Sequence, residues 1–330
     1  MAKAEQIIEL LKSHINGDDN RFFAIAMQVA AHEAQQGHEK LAQELKALID
    51  KAKEKKSVIS TQASVVNLLH PKGDLANLLS VEYTRLTFSQ LTFSKTITER
   101  IQRIILEQRQ QHTLSEHGLK PRRKILLFGL PGTGKTMTAS ALAGELKLPL
   151  FTIRLDGLIT KYMGETASKL RLIFDAMKTT RAIYFFDEFD AIGGDRNLGN
   201  DVGEIRRILN SFLQFMEQDQ SESLILAATN NVKLLDPALF RRFDDVIEYN
   251  LPDQDQIERI IRNRLHNFKL KLIKWQNIVA NAEGLSHAEI TRACDDAAKI
   301  SVLSKYPMIP EKLLLEALSE RKHSGTNSIK

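Results

Sequence analysis

One cysteine, one tryptophan and an aromatic content of only 6% leave little room for several kinds of chemistry. A lone thiol, Cys294, can close no intrachain disulfide and build no multi-thiolate metal site, which suits a reducing compartment. The expected location is cytoplasmic. Long apolar runs are missing too: the longest, residues 125–130 and 183–186, fall far short of the roughly 20 residues a membrane span needs. The chain start also lacks a signal peptide's basic-then-apolar layout, since Glu9 and Lys12 interrupt it. No membrane partner is expected. His32-Glu33 opens like a zinc HExxH helix, but the second histidine would be residue 36, which is Gln36. With no GxSxG elbow either, any proteolysis would need a partner. Net charge is +5, from 46 basic and 41 acidic residues, too diffuse to indicate nucleic acid. The run Arg259, Arg262, Arg264, Lys269, Lys271 and Lys274 reads as a solvated helix face, and Trp275 alone offers no stacking platform for single strands.

What is present is a 330-residue chain, 43% hydrophobic and 26% charged, enough for a large domain with appendages. Residues 1–56 show helical periodicity: Ala4, Ile7, Ile8, Leu11 and Ile15; then Phe22, Ala26, Val29 and Ala30; then Leu41, Leu45, Leu48, Ile49 and Ala52. Gly17-Asp18-Asp19 and Gly37 punctuate three helices, a size common in docking modules. Residues 57–80 read as a linker. A doublet, Leu86-Thr87-Phe88 and Leu91-Thr92-Phe93, repeats once and stops, so it is no solenoid period. From Lys124, β-type runs at 124–129, 150–155, 182–187, 224–229 and 246–249 alternate with helical stretches. That alternation predicts a parallel sheet covered on both faces, over 81–252. After Pro252 the pattern is helical only, giving a small lid subdomain and tail over 253–330.

The strongest motif is Gly129-Leu130-Pro131-Gly132-Thr133-Gly134-Lys135-Thr136, a P-loop between a β run and a helical run. Its glycines let backbone N–H groups converge on phosphates, and the next helix start adds its positive end. Lys135 reaches the β and γ phosphates, and the Thr136 hydroxyl suits Mg²⁺. Pro131, Gly132, Thr133, Gly134, Lys135, Thr136 and Met137 are the expected nucleotide-binding set. About fifty residues on, Ile183-Tyr184-Phe185-Phe186-Asp187-Glu188 is an apolar strand ending in two carboxylates, a Walker B arrangement. Asp187 is expected to hold the Mg²⁺ shell while Glu188 orients and deprotonates water. As successive strand residues they would point to opposite faces.

A further β run ends in Thr229-Asn230-Asn231, and Asp236-Pro237-Ala238-Leu239-Phe240-Arg241-Arg242-Phe243-Asp244 follows. Together with the two motifs above, this resembles the ATPase module of the AAA family within the AAA+ superfamily, over roughly residues 80–321. The resemblance implies an α/β fold: a P-loop parallel sheet flanked by helices, a C-terminal helical lid and here an N-terminal three-helix domain. It implies ATP and Mg²⁺ as cofactors, and Asn230 as the sensor of the γ-phosphate or lytic water. Arg241 and Arg242 become arginine fingers reaching a neighbour's nucleotide in an ATP-promoted hexamer. Lys161, Tyr162 and Met163, before Gly164-Glu165, resemble the first pore loop, which grips extended polypeptide; residues 193–201 resemble the second. Gly284-Leu285-Ser286-His287-Ala288-Glu289 resembles the family's lid-helix start, with His287 where Gly is usual and Glu289 where Asp is usual. There Ala288 takes the place of other clades' sensor arginine. His266 matches a family histidine near adenine, with altered spacing.

The implied function is a ring motor that remodels, unfolds or translocates a protein recruited through residues 1–56. The single-ring core also resembles stand-alone bacterial AAA ATPases, some encoded beside a subtilisin-like protease. Two rivals remain at this stage: a nucleotide-gated scaffold, and a nucleic-acid-associated AAA+ ATPase using the basic run.

Overall fold

Apolar β runs alternating with amphipathic helices can bury both faces of a strand only by forming a sheet between helical layers. The computed structural model describes residues 25–27, 29–30, 34, 38, 42–43, 73–158, 163–190, 202–231, 237–271, 273–304 and 308–327. They fall in two compact units, Met1–His70 and Pro71–Lys330. In the first, residues 25–27, 29–30, 34 and 42–43 are helical, with Ile25, Ala30 and Ala42 buried. The rest of the expected three-helix domain lies outside the described residues.

The second unit begins with α1 (Asp74–Leu78), β1 (Leu79–Glu82), a 3-10 turn (Phe88–Gln90), α2 (Lys95–Arg109) and α3 (Gln111–Glu116). There follow β2 (Lys124–Gly129), α4 (Lys135–Leu146), β3 (Leu150–Ile153), α5 (Leu155–Leu158), α6 (Met163–Thr179), β4 (Ile183–Phe186) and α7 (Val202–Gln218). β5 (Leu224–Thr229), α8 (Pro237–Phe240) and β6 (Asp245–Tyr249) complete the sheet. Strand order is β1-β3-β4-β5-β2-β6, parallel throughout except for β1, which pairs antiparallel with β3 from Leu79 opposite Ile153 to Glu82 opposite Leu150. The sheet is therefore mixed at one edge. The linker expected over 57–80 gives way to folded structure at its end, because Leu78 and Leu79 are buried and the next residues complete an edge strand. Four residues, partly exposed, are too few to show a period.

β4 and β5 are buried at every position, as strands sandwiched on both faces must be. The chain leaves β2, skips two positions to β3, then returns through β4 and β5 to β2's side. This reversal opens a crevice beyond the carboxyl ends of β2, β4 and β5, where α/β sheets bind ligands.

The last segment comprises α9 (Gln254–Arg264), β7 (Leu270–Lys271), α10 (Trp275–Ala282), α11 (His287–Leu303), β8 (Ile309–Pro310) and α12 (Glu311–Asn327). It has a core of its own, including Ile257, Ile261, Ile278, Ile290, Cys294 and Leu318. Burial pushes the Cys294 thiol up to about 12, so it serves as a packed apolar group. The helical-only expectation is corrected here: Leu270 pairs with Ile309 and Lys271 with Pro310 in a parallel ladder, too short to leave a sequence signal.

Candidate active site

Glycine conformation shapes the phosphate loop. Gly132 and Gly134 adopt φ of 74° and 104°, in the left-handed region that side chains resist. Both are also crowded: a Cβ on Gly132 would stand 2.7 Å from Ser286 Oγ, and one on Gly134 would stand 2.9 Å from the Phe93 ring. The loop is thus pressed between α11 and the segment preceding α2. Thr133 folds inward, its hydroxyl donating to the Leu130 carbonyl at 2.8 Å. Lys135, buried at the start of α4, donates to the Gly129 and Leu130 carbonyls at 2.8 and 2.9 Å. Burial holds its ammonium below the usual lysine range, and Asp187 and Asp190 oppose that shift. An ammonium short of full solvation is well prepared to accept phosphate oxygens.

The two carboxylates stand just past β4, in a turn and not on the strand, so strand alternation does not separate them. Glu188 instead takes a left-handed backbone, φ 50°, uncommon for a non-glycine residue and costly enough to mark functional turns. Its N–H donates to Asp187 Oδ1 at 2.9 Å, while the Thr136 hydroxyl donates to Asp187 Oδ2 at 3.0 Å. Behind them the Phe189 N–H donates to the Ala228 carbonyl at 2.8 Å, and the Thr229 hydroxyl donates to Asp190 at 3.0 Å. Those bonds tie the end of β4 to that of β5, where Asn230 follows.

A cavity of about 720 Å³ lies over this constellation. It is lined by Pro131, Gly132, Gly134, Lys135, Thr136, Met137, Asp187, Glu188, Asn230 and Ala288, all expected from the sequence. The Ala288 N–H donates to the Gly132 carbonyl at 3.0 Å, fastening the last helical segment to the phosphate loop. Of the remaining expected residues, Thr133 lies beneath the loop. His266 lies outside the cavity: α9 ends at Arg264, and the exposed His266 ring bonds the Asn263 carbonyl, so Asn263 and Arg264 face the cavity instead. Arg241 and Arg242 also lie away from it. Arg242 binds Glu217 at 2.6 Å, whereas Arg241 is exposed. Lys161 and Tyr162, and residues 193–201 of the second expected pore loop, lie outside the described residues; Met163 opens α6.

One whole wall went unread in the sequence. Leu86, Leu91, Thr92 and Phe93 of the Leu-Thr-Phe doublet, with Gln90 between its halves, line the cavity. Phe93 packs edge-on against Tyr249 at 5.8 Å, and Gly144 of α4 lies so close to Leu86 that a Cβ would stand 2.0 Å from its carbonyl oxygen. Two aromatic triplets just before the N-cap Ser94 were the available signal. His287 was singled out only as a departure, yet it lines the cavity beside Phe93, 6.5 Å between ring centres. Its buried ring nitrogens have no partner at hydrogen-bonding geometry, although the Thr92 backbone is near.

Thr136 and Asp187 offer two adjacent oxygen donors, the kind of sparse set suited to Mg²⁺, which keeps waters and leans on phosphates. Among the described residues no cluster of three or more His, Cys, Asp or Glu side chains could cage a metal by itself.

Residues 125–251 match the model of the ATPase family associated with various cellular activities. The AAA family ATPase y4kL of Sinorhizobium fredii is 32% identical over 328 residues, 98% of each chain. The ATP-dependent zinc metalloprotease FtsH 2 of Methylacidiphilum infernorum is 35% identical over 68% of this chain and 36% of its own. The proteasome-activating nucleotidase of Methanoregula boonei is 31% identical over 70% of this chain and 56% of its own. The chain thus spans about a third of that FtsH relative and over half of the nucleotidase. With Lys135, Asp187, Glu188 and Asn230 gathered at one cavity, the chain belongs to the AAA family and is an ATPase.

Proposed function

We propose that this ATPase is a ring motor, a hexamer assembled with ATP, that pulls on or remodels protein substrates. The observation that carries the reading is the cavity that brings Glu188, Asn230, Lys135 and the Thr136–Asp187 pair together under a lid segment. Relatives named for ATP-dependent proteolysis and for activating a proteasome support a protein substrate.

In this reading Lys135 gives up its loop carbonyls for the β and γ phosphates, and loop N–H groups hold the remaining charge. Bound Mg²⁺, held by Thr136 and Asp187, would neutralise phosphate charge. Glu188 takes the proton of the attacking water, and Asn230 orients that water or the γ-phosphate. Arg241 and Arg242 serve the neighbouring copy's nucleotide, stabilising transition-state charge. Their distance from their own cavity suits a role in trans. Lys161, Tyr162 and Met163 then grip polypeptide in the channel, and residues 1–56 recruit the substrate or a partner, for which a subtilisin-like protease is one candidate.

The test is Tyr162→Ala. It should abolish processing of a captured protein substrate while leaving basal ATPase within about twofold, as expected for a residue remote from the chemistry. Substrates are obtained by capture on Glu188→Gln, which binds ATP without turning it over. Undiminished processing by Tyr162→Ala would end the motor reading and favour a nucleotide-gated scaffold.

A further inference from the structure

We infer that Asp190 is a positioning residue for hydrolysis: through the Thr229 hydroxyl it holds Asn230 in register with Glu188. The inference rests on the assignment of Asn230 and Glu188 to the attacking water. Neither Asp190 nor Thr229 lines the cavity, so each acts on the reaction only through residues that do.

A hydroxyl has one proton to give, and Thr229 gives its proton to Asp190 Oδ1 at 3.0 Å. The oxygen is left to accept, and it takes the Asn231 N–H, also at 3.0 Å. That bond, from residue 231 back to the side chain of residue 229, closes a tight turn with Asn230 at its apex. Thr229 itself is fully buried at the end of β5. Removing the carboxylate would free the hydroxyl to rotate, and the turn that presents Asn230 would lose its tie.

The other end of the link is held as firmly. Asp190 lies two residues past Glu188, and Phe189 between them is buried against Phe186 and Phe212, its N–H on the Ala228 carbonyl at 2.8 Å. Two successive residues after β4 thus grip two successive residues of β5, 189 on 228 and 190 on 229. The first bond is backbone, which any residue but proline could make. The second needs an acceptor at 190 and a hydroxyl at 229. For stability alone an apolar pair would serve as well, since a buried hydroxyl and a half-buried carboxylate both cost desolvation. What the polar pair adds is direction. The Asp190 charge also reaches Lys135, so a role in phosphate binding has to be separated from the link to Asn230.

Steady-state ATPase kinetics of the full chain make that separation, with Asn230→Ala as the reference for a lost sensor. Asp190→Ala and Thr229→Val should each lower kcat about tenfold, the scale of a charge-assisted hydrogen bond, and leave the KM for ATP within twofold. The double variant should be no slower than the slower single one, because both changes break the same link. Asp190→Asn and Thr229→Ser keep the acceptor and the hydroxyl, and should recover most of the rate. Unchanged kcat in Thr229→Val, a change of similar shape that decides the matter even where Asp190→Ala fails to fold, overturns the inference. So does a loss in Asp190→Asn as large as in Asp190→Ala, which would mean that charge near Lys135 is what counts, or losses that multiply in the double variant. A parental rate in Asn230→Ala would sink the assignment of Asn230 itself, and the inference with it.

Discussion

At Gly132 the phosphate loop and the lid segment meet, and the residue is held to glycine twice over. Its φ of 74° disfavours any side chain, and the missing Cβ leaves room for Ser286 and Ala288. Gly132→Ala should therefore cost about 1–3 kcal/mol of stability and push α11 off the loop. Denaturant unfolding and an ATP titration should both register it; a variant with parental stability and affinity would refute this account of the loop. The motif itself was legible in the sequence because Gly129, Gly134, Lys135 and Thr136 fill the four fixed positions of the pattern between a β run and a helical run. Asp187 and Glu188 were legible as a pair, but their geometry was not. The turn that separates them, with Glu188 left-handed, depends on bonds between the ends of β4 and β5 that no local pattern encodes.

Elements repeat that contrast. The strands β2 to β5 declared themselves through apolar runs between helical stripes, because burial on both faces demands such runs, whereas β6, an edge strand, alternates buried and more exposed positions. β1, β7 and β8 did not declare themselves, being two to four residues long and partly exposed. The cavity wall from Leu86 to Phe93 also stayed hidden, since it is shaped by close approach to Gly134 and Gly144 across the fold. His287, at the start of α11, belongs to this scale because it lies where that wall meets the lid. Burial lowers its pKa below the usual 6.5, a shift that the Thr92 backbone and Asp253 oppose. The folded state then binds fewer protons than the unfolded chain, so stability rises with pH through the window just below 6.5 and falls as acid protonates the ring. Thermal melts from pH 7.5 to 5 should show the parent losing more stability than His287→Gln. Parallel pH curves for the two proteins would contradict the assignment.

At the scale of the whole molecule, one chain brings its phosphate loop, the Thr136–Asp187 pair, Glu188 and the start of α11 to one cavity, yet its two arginines after α8 do not line that cavity. Arg242 is tied to Glu217, leaving the exposed Arg241 the readier to reach another copy. A complete catalytic site would then require two chains. The most direct measurement mixes two full-length variants, Glu188→Gln and the double variant Arg241→Ala, Arg242→Ala. Each alone should bind ATP and hydrolyse it at least a hundredfold more slowly than the parent, within the range known for arginine fingers. Mixed before assembly, they should regain a substantial fraction of parental ATPase, because some seams join an intact Glu188 to a neighbour's intact arginines. A mixture no more active than its components, or a double arginine variant as active as the parent, would contradict the shared site.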